Sequence, residues 1–95
     1  MSLGTRNITQ RVTVNTDAAV TLDGDGYSIP FPITVVALPG GGGTMLVEYQ
    51  AAQGGAWTAW PDGAVSAKTI SVLTGPIHAL RFTAAVANGM VEVAQ

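Results

Sequence analysis

The sequence contains no cysteine and few charged side chains. Without cysteine it can form neither a disulfide nor a thiolate metal site, so the fold has to be held together by packing alone. Charged residues make up 11% of the chain, against about 25% in an average soluble domain. Four basic residues against six acidic ones leave no basic surface for a phosphate backbone, and we expect no nucleic-acid partner.

Long apolar runs are also missing, although apolar residues are abundant. The longest run is residues 35–38, far below the roughly 18 residues of a membrane span, and we expect no membrane partner. Hydrophobic residues nevertheless make up 47% of the chain, with 12 glycines besides. This content excludes intrinsic disorder, which requires low hydrophobicity and high net charge.

A length of 95 residues predicts one domain with a single modest core. We assign this domain to residues 4–95 and interpret residues 1–3 as a remnant of cloning. The first residues show no basic region followed by an apolar stretch, which a signal peptide would have. Together with the absence of cysteine, this predicts synthesis in the cytoplasm.

Apolar residues recur with a period of two along most of the chain, which is the pattern of β-strands. Val12 and Val14 share one face of a strand, for example, and Val20 and Leu22 share one face of the next. The patterned segments are residues 8–14, 20–22, 33–38, 45–50, 57–60, 69–73, 80–86 and 90–94. About seven or eight short strands with little or no helix predict an all-β fold, a single antiparallel β-sandwich of immunoglobulin-like or jelly-roll-like type.

Turn signals separate these segments. Asn88 and Gly89 between alternating apolar residues form a strong hairpin signal, which predicts that residues 82–87 pair with residues 90–94. The four glycines at residues 40–43 lie between two strand patterns. Because they are too few for an inter-domain linker, we interpret them as a mobile hairpin loop.

No arrangement of residues carries a catalytic or metal signature. The Asp-Gly-Asp-Gly segment at residues 23–26 resembles part of a calcium loop, but the further oxygen ligands are missing and we interpret it as a surface turn. The glycines at residues 40–43 are not followed by the lysine of a phosphate-binding loop. His78, the one histidine, has no nucleophile and acid arranged around it. We therefore predict a non-enzymatic protein with no catalytic residue, metal or cofactor.

Aromatic side chains are the first candidates for an interface or a ligand platform. Trp57 and Trp60 are three residues apart, so in a regular strand they point to opposite faces and one of them belongs in the core. The other possibility is a bulged strand at this point. Tyr49, Met45 and Phe82 are further candidates for either the core or an interface.

Arg81 is a candidate of a different kind. It alternates with Leu80 and Phe82, so it lies on the opposite face of its strand. One interpretation is a solvent-exposed arginine. The other is an arginine paired at an interface with Glu48 or Glu92, because a buried arginine needs a partner to offset its desolvation.

The second half of the chain carries a combination of short motifs. They are MLVEYQ at residues 45–50, GGAWTAW at residues 54–60, GPIHALRFT at residues 75–83 and VEV at residues 91–93. In this combination, over about residues 44–95, the chain resembles small β-rich head- or tail-associated structural proteins of tailed phages and prophages. The resemblance implies a β-sandwich component of a virion, often a trimer or another symmetric oligomer, and it supplies no functional residues.

These observations lead to two hypotheses for the function, which belong to different classes. The first is a structural or assembly protein of a phage or prophage particle, located in the virion and made in the bacterial host cytoplasm. It would act by homo-oligomerisation and by contacts with other virion proteins. A surface this poor in charge agrees with burial by partners, and Lys68 is the one lysine available to discourage pairing of sheet edges. The second is a small carbohydrate- or host-surface-binding module, with a glycan held by the tryptophan pair.

Overall fold

Eight strands and no helix make up the regular structure of residues 9–23 and 32–94, the part of the chain that this computed structural model describes. The strands are β1 (Thr9–Val14), β2 (Val20–Asp23), β3 (Ile33–Leu38), β4 (Thr44–Gln50), β5 (Trp57–Ala59), β6 (Thr69–Leu73), β7 (Ala79–Ala85) and β8 (Gly89–Ala94). Within these residues there is thus no helix that could cross a membrane.

The strands form two four-stranded antiparallel sheets that pack face to face. Sheet I has the order β1-β8-β3-β6 and sheet II the order β2-β7-β4-β5. The first strand pairs with the last, the second with the seventh, the third with the sixth and the fourth with the fifth. A long hairpin folded over on itself gives this order, which is the jelly-roll winding of a β-sandwich. The predicted fold class is confirmed, and of the two types named the topology is the jelly roll.

The core lies between the sheets and is built from alternate residues of each strand. In β3, for example, Ile33, Val35 and Ala37 are buried, whereas the residues between them are only partly covered. Because successive side chains in a strand point to opposite faces, the period of two in the sequence places one apolar set inside. The buried residues that form one continuous core are Val12, Val14, Leu22, Ile33, Val35, Ala37, Met45, Val47, Trp60, Leu73, Ile77, Leu80, Phe82, Ala84, Val91 and Val93.

The predicted hairpin at Asn88 and Gly89 is wrong. The strand before this turn, β7, belongs to sheet II, and the strand after it, β8, belongs to sheet I between β1 and β3. In that position β8 is hydrogen-bonded to a neighbouring strand along both of its sides. A hairpin with β7 alone would pair only one side. The side-chain oxygen of Asn88 accepts a hydrogen bond of 2.9 Å from the backbone N–H of Thr16. Asn88 therefore links two loops at one end of the sandwich instead of forming a tight turn between paired strands.

The interpretation of residues 40–43 as a hairpin loop is also wrong. These glycines connect β3 in sheet I with β4 in sheet II, so they carry the chain from one layer to the other. The turn is closed by a hydrogen bond of 2.9 Å from the N–H of Gly43 to the carbonyl of Gly40. Both end glycines lie against the backbone of residues 85–88, which places this turn beside the β7–β8 connection.

Candidate functional site

Trp60 lies in the core and is not available to a ligand. Its side chain is only 2% exposed. Its backbone N–H donates to the carbonyl of Val47 at 2.8 Å, and its indole Nε1 donates to the carbonyl of Gly63 at 2.6 Å. The backbone of Trp60 is thus tied to β4, and its indole holds the turn at residues 60–63.

Trp57 lies on the outer face of sheet II beside an ion pair. Both Nε and Nη2 of Arg81 donate to Oε1 of Glu48, at 3.1 and 2.9 Å. The guanidinium carbon of Arg81 stands 4.4 Å from the centre of the Trp57 ring, within the range of a cation–π contact. We call these three residues the Trp57 cluster.

Strand pairing explains why the Trp57 cluster forms. Arg81 on β7 stands directly opposite Glu48 on β4, and Trp57 on β5 stands opposite Gln50, two residues further along β4. The Nε2 of Gln50 donates to the carbonyl of Gly55 at 2.8 Å, which fixes the turn that leads into β5. The side chains of Arg81 and Glu48 remain 32% and 18% exposed, so the cluster is preorganised but still reachable from solvent.

The structure therefore decides between the partners left open for Arg81. Glu48 lies on the same outer face in the neighbouring strand, whereas Glu92 lies in sheet I and pairs with Arg11 at 3.0 Å. Chemically, the Trp57 cluster offers an aromatic ring and two charged groups that already neutralise each other. Tryptophan and arginine are the residue types that dominate binding energy at protein interfaces.

Tyr49 is half-buried and packs against the core from β4. It does not join the Trp57 cluster, because it points to the inner side of sheet II. It lines a shallow cavity of about 180 Å³ together with Pro61, Val72, Leu73, Thr74, Gly75 and Ile77. Small-molecule sites usually enclose roughly 300–1,000 Å³, so this cavity is too small for a typical ligand. Met45 and Phe82, the other candidates, are core residues.

The outer face of sheet I carries an apolar patch that the sequence analysis missed. Ile70 and Val72 of β6 are 59% and 54% exposed. Across the ladder, Ile70 faces Val36 on β3, and further along β3 Leu38 faces Met90 on β8. These five residues, Val36, Leu38, Ile70, Val72 and Met90, are the apolar patch.

The polarity of β6 is reversed relative to an ordinary strand of a sandwich. Usually apolar residues face the core and polar ones face solvent. In β6 the inner side carries the hydroxyl residues Thr69 and Ser71 together with the buried Leu73, while Ile70 and Val72 face outward. The alternation was visible in the sequence, but only the pairing with β3 shows which set faces out.

A metal site finds no support in the described residues. No group of three or more His, Cys, Asp or Glu side chains that could hold an ion occurs among residues 9–23 and 32–94. The predicted turn at residues 23–26 lies outside the described residues except for the backbone of Asp23, which ends β2.

No family model, curated protein or solved structure matches this chain. The Trp57 cluster and the apolar patch, on opposite outer faces of the sandwich, are therefore the features from which a function can be inferred.

Proposed function

We propose that this protein is a non-enzymatic structural or assembly component of a phage or prophage particle, made in the bacterial host cytoplasm. It acts by binding copies of itself and neighbouring particle proteins. The observation that carries this proposal is the apolar patch on sheet I, with Ile70 and Val72 more than half exposed. The resemblance of residues 44–95 to phage structural proteins supports it independently and implies a trimer or another symmetric oligomer.

The charge distribution agrees with self-association. The five residues of the apolar patch carry no charge, and the nearest ion pair on the same face, Arg11 with Glu92, is internally neutral. Two copies can therefore approach through this face without like-charge repulsion. The formal net charge of −2 opposes contact between copies only weakly. Jelly-roll domains are common in viral capsids, which makes the topology suitable for this role.

The test of self-association is light scattering behind size-exclusion chromatography over a concentration series. We expect a mass above that of one 9.7 kDa chain that rises with concentration. Val72→Thr keeps the branched shape but removes apolar surface from the patch, so we expect about a tenfold weaker association.

Val86→Thr is the matched control for this substitution. Val86 is 84% exposed in the β7–β8 connection and lies outside the apolar patch, so the same chemical change there should leave the oligomer intact. A chain that stays monomeric at all concentrations would contradict the proposal. If Val72→Thr and Val86→Thr weakened association equally, the contact between copies would lie outside the apolar patch.

The second candidate is a glycan-binding module, favoured by the position of Trp57 on an outer face next to polar groups. Aromatic rings flanked by charged side chains can stack on sugars while donating and accepting hydrogen bonds. Only one tryptophan is available for this, since Trp60 is in the core, and Arg81 already lies over one face of the Trp57 ring. We rank this function below self-association for that reason.

A fluorescence titration with a panel of polysaccharides tests the glycan candidate. If it is correct, tryptophan emission changes with at least one polysaccharide, and the change disappears in Trp57→Phe. Emission from Trp60 provides the internal reference, because that ring is buried. No change with any member of the panel would reject this candidate and leave the structural role unaffected.

A further inference from the structure

The two described sheets have four edge strands, and three of them carry a feature that discourages pairing with another chain. Charged residues and short length are the usual guards of a sheet edge. The edge strand β1 contains Arg11, whereas β2 and β5 are only four and three residues long. The fourth edge, β6 (Thr69–Leu73), has five residues with no charge and no proline, and Lys68 stands just before the strand, outside its paired residues.

The outer side of β6 carries Ile70 and Val72, so a strand added at this edge would have apolar side chains next to its own on the same face. Ile70 and Val72 would gain side-by-side contact with apolar residues of such a strand, and the partly covered Val36 next to Ile70 extends the same surface. A strand with an unguarded edge and an apolar outer side is suited to pairing with another strand of the same kind.

We infer that two copies of this chain pair their β6 strands antiparallel about a two-fold axis, joining the two copies of sheet I into one eight-stranded sheet. This inference rests on the self-association proposed above and names its surface. A second copy is the partner that fits, because the sequence of β6 is complementary to itself. In this pairing the uncharged middle residues of the two β6 strands lie opposite each other. The β-branched apolar residues of one strand contact those of the other.

The pleat of the strands fixes the register of this contact. Residues opposite each other in an antiparallel pair point to the same side of the sheet. The register centred on Ser71 satisfies this condition and keeps all five residues of β6 paired. It places Ser71 opposite the partner's Ser71, and Ile70 opposite the partner's Val72. The four apolar side chains then form one stripe on the outer face.

The contact is short, and this determines how it should behave. Five residues at about 3.4 Å each span roughly 17 Å, so the interface is at the small end of specific protein contacts. We expect a dimer that dissociates on dilution. A trimer, as the resemblance implies, would need a second surface; combined with the two-fold contact it would give a six-subunit assembly of D3 symmetry.

Cysteine cross-linking of the full chain tests the register directly, because the natural sequence contains no cysteine. In Ser71→Cys the two Cα atoms would stand about 4.5–5.5 Å apart, within the range of roughly 4.4–6.8 Å that a disulfide needs. We expect rapid oxidation to a covalent dimer on a non-reducing gel.

Ile70→Cys is the matched control. Its two copies would lie diagonally, about 7–8 Å apart, outside the disulfide range. Ile70 is also 59% exposed, while Ser71 is partly covered, so random collision would cross-link Ile70→Cys at least as fast. Faster cross-linking of Ser71→Cys, by tenfold or more, supports the β6 contact; equal or slower cross-linking overturns it.

Hydrogen–deuterium exchange of the unmodified chain supplies a second measurement that needs no substitution. Raising the concentration should slow exchange at the outward-pointing amides of β6 and leave those of the edge strand β1 unchanged. An oligomer in light scattering without this protection and without preferential cross-linking refutes the β6 contact but leaves the proposed function intact. A strict monomer at all concentrations refutes both.

Discussion

Replacing Trp60 by alanine is expected to destabilise the protein by about 3–5 kcal/mol, the usual cost of removing a large aromatic side chain from a core. The ring is 2% exposed and is the largest of the fully buried side chains. The substitution also leaves the carbonyl of Gly63 without the indole donor at 2.6 Å. Domains of this size have total stabilities of roughly 5–15 kcal/mol, so the variant should unfold at much lower denaturant concentration.

Trp57→Ala is the matched control, since it removes the same side chain three residues earlier. Trp57 is only partly buried, and its main specific contact is the cation–π interaction with Arg81. The expected loss is about 1 kcal/mol. Urea unfolding followed by far-ultraviolet circular dichroism measures both variants without relying on tryptophan emission. Equal losses would mean that both rings are structural and that the assignment of Trp60 alone to the core is incorrect.

Gly40→Ala should also destabilise the protein strongly, by about 1–3 kcal/mol or more, because there is no room for a side chain. An added Cβ would overlap the backbone oxygen of Asn88 and stand 2.9 Å from the Cβ of Ala87. A backbone oxygen cannot move aside as a flexible side chain can. Relief would require the turn at residues 40–43 and the β7–β8 connection to separate.

Gly41→Ala, at the next position of the same turn, provides the comparison. A Cβ at Gly41 would meet no atom within 4 Å. We expect no loss and up to about 0.4–1 kcal/mol of gain, because alanine restricts the unfolded chain. Thermal unfolding of both variants, followed by circular dichroism, separates the two cases. If Gly41→Ala destabilised the protein as much as Gly40→Ala, the glycines would be needed for the flexibility of the turn and not for close packing.

The positions of the strands could be predicted from the sequence because they depend on local alternation. The segment 69–73 was predicted as a strand and is β6 with the same bounds. The pairing of strands could not be predicted in this way, as Asn88 and Gly89 show. These two residues favour a hairpin between β7 and β8. The hairpin does not form, because β8 lies between β1 and β3 and is hydrogen-bonded to a strand on each side. Those partners are distant in sequence and have no local signature.

In the candidate site, too, local spacing could be predicted from the sequence, whereas the contacts made through strand pairing could not. The spacing of Trp57 and Trp60 predicted opposite faces, but only the burial of the two side chains in the fold shows that Trp60 is the one inside. The sequence offered Glu48 and Glu92 equally as partners of Arg81. The register of β4 with β7 selects Glu48. The outward direction of Ile70 could not be predicted, because a strand that alternates Thr, Ile, Ser and Val permits either face to be buried.

The place of β8 in sheet I has a consequence for folding kinetics. β8 comes last in chain order, yet it holds β1 and β3 together from between them. Until β8 is in place, β1 has no neighbour in its own sheet and one side of β3 remains open. Folding therefore depends on contacts between the ends of the described chain, which places it among slow, high-contact-order β proteins that fold in milliseconds to seconds. During that interval the open side of β3 is an additional unguarded edge, so aggregation competes with folding before the native sheet is complete.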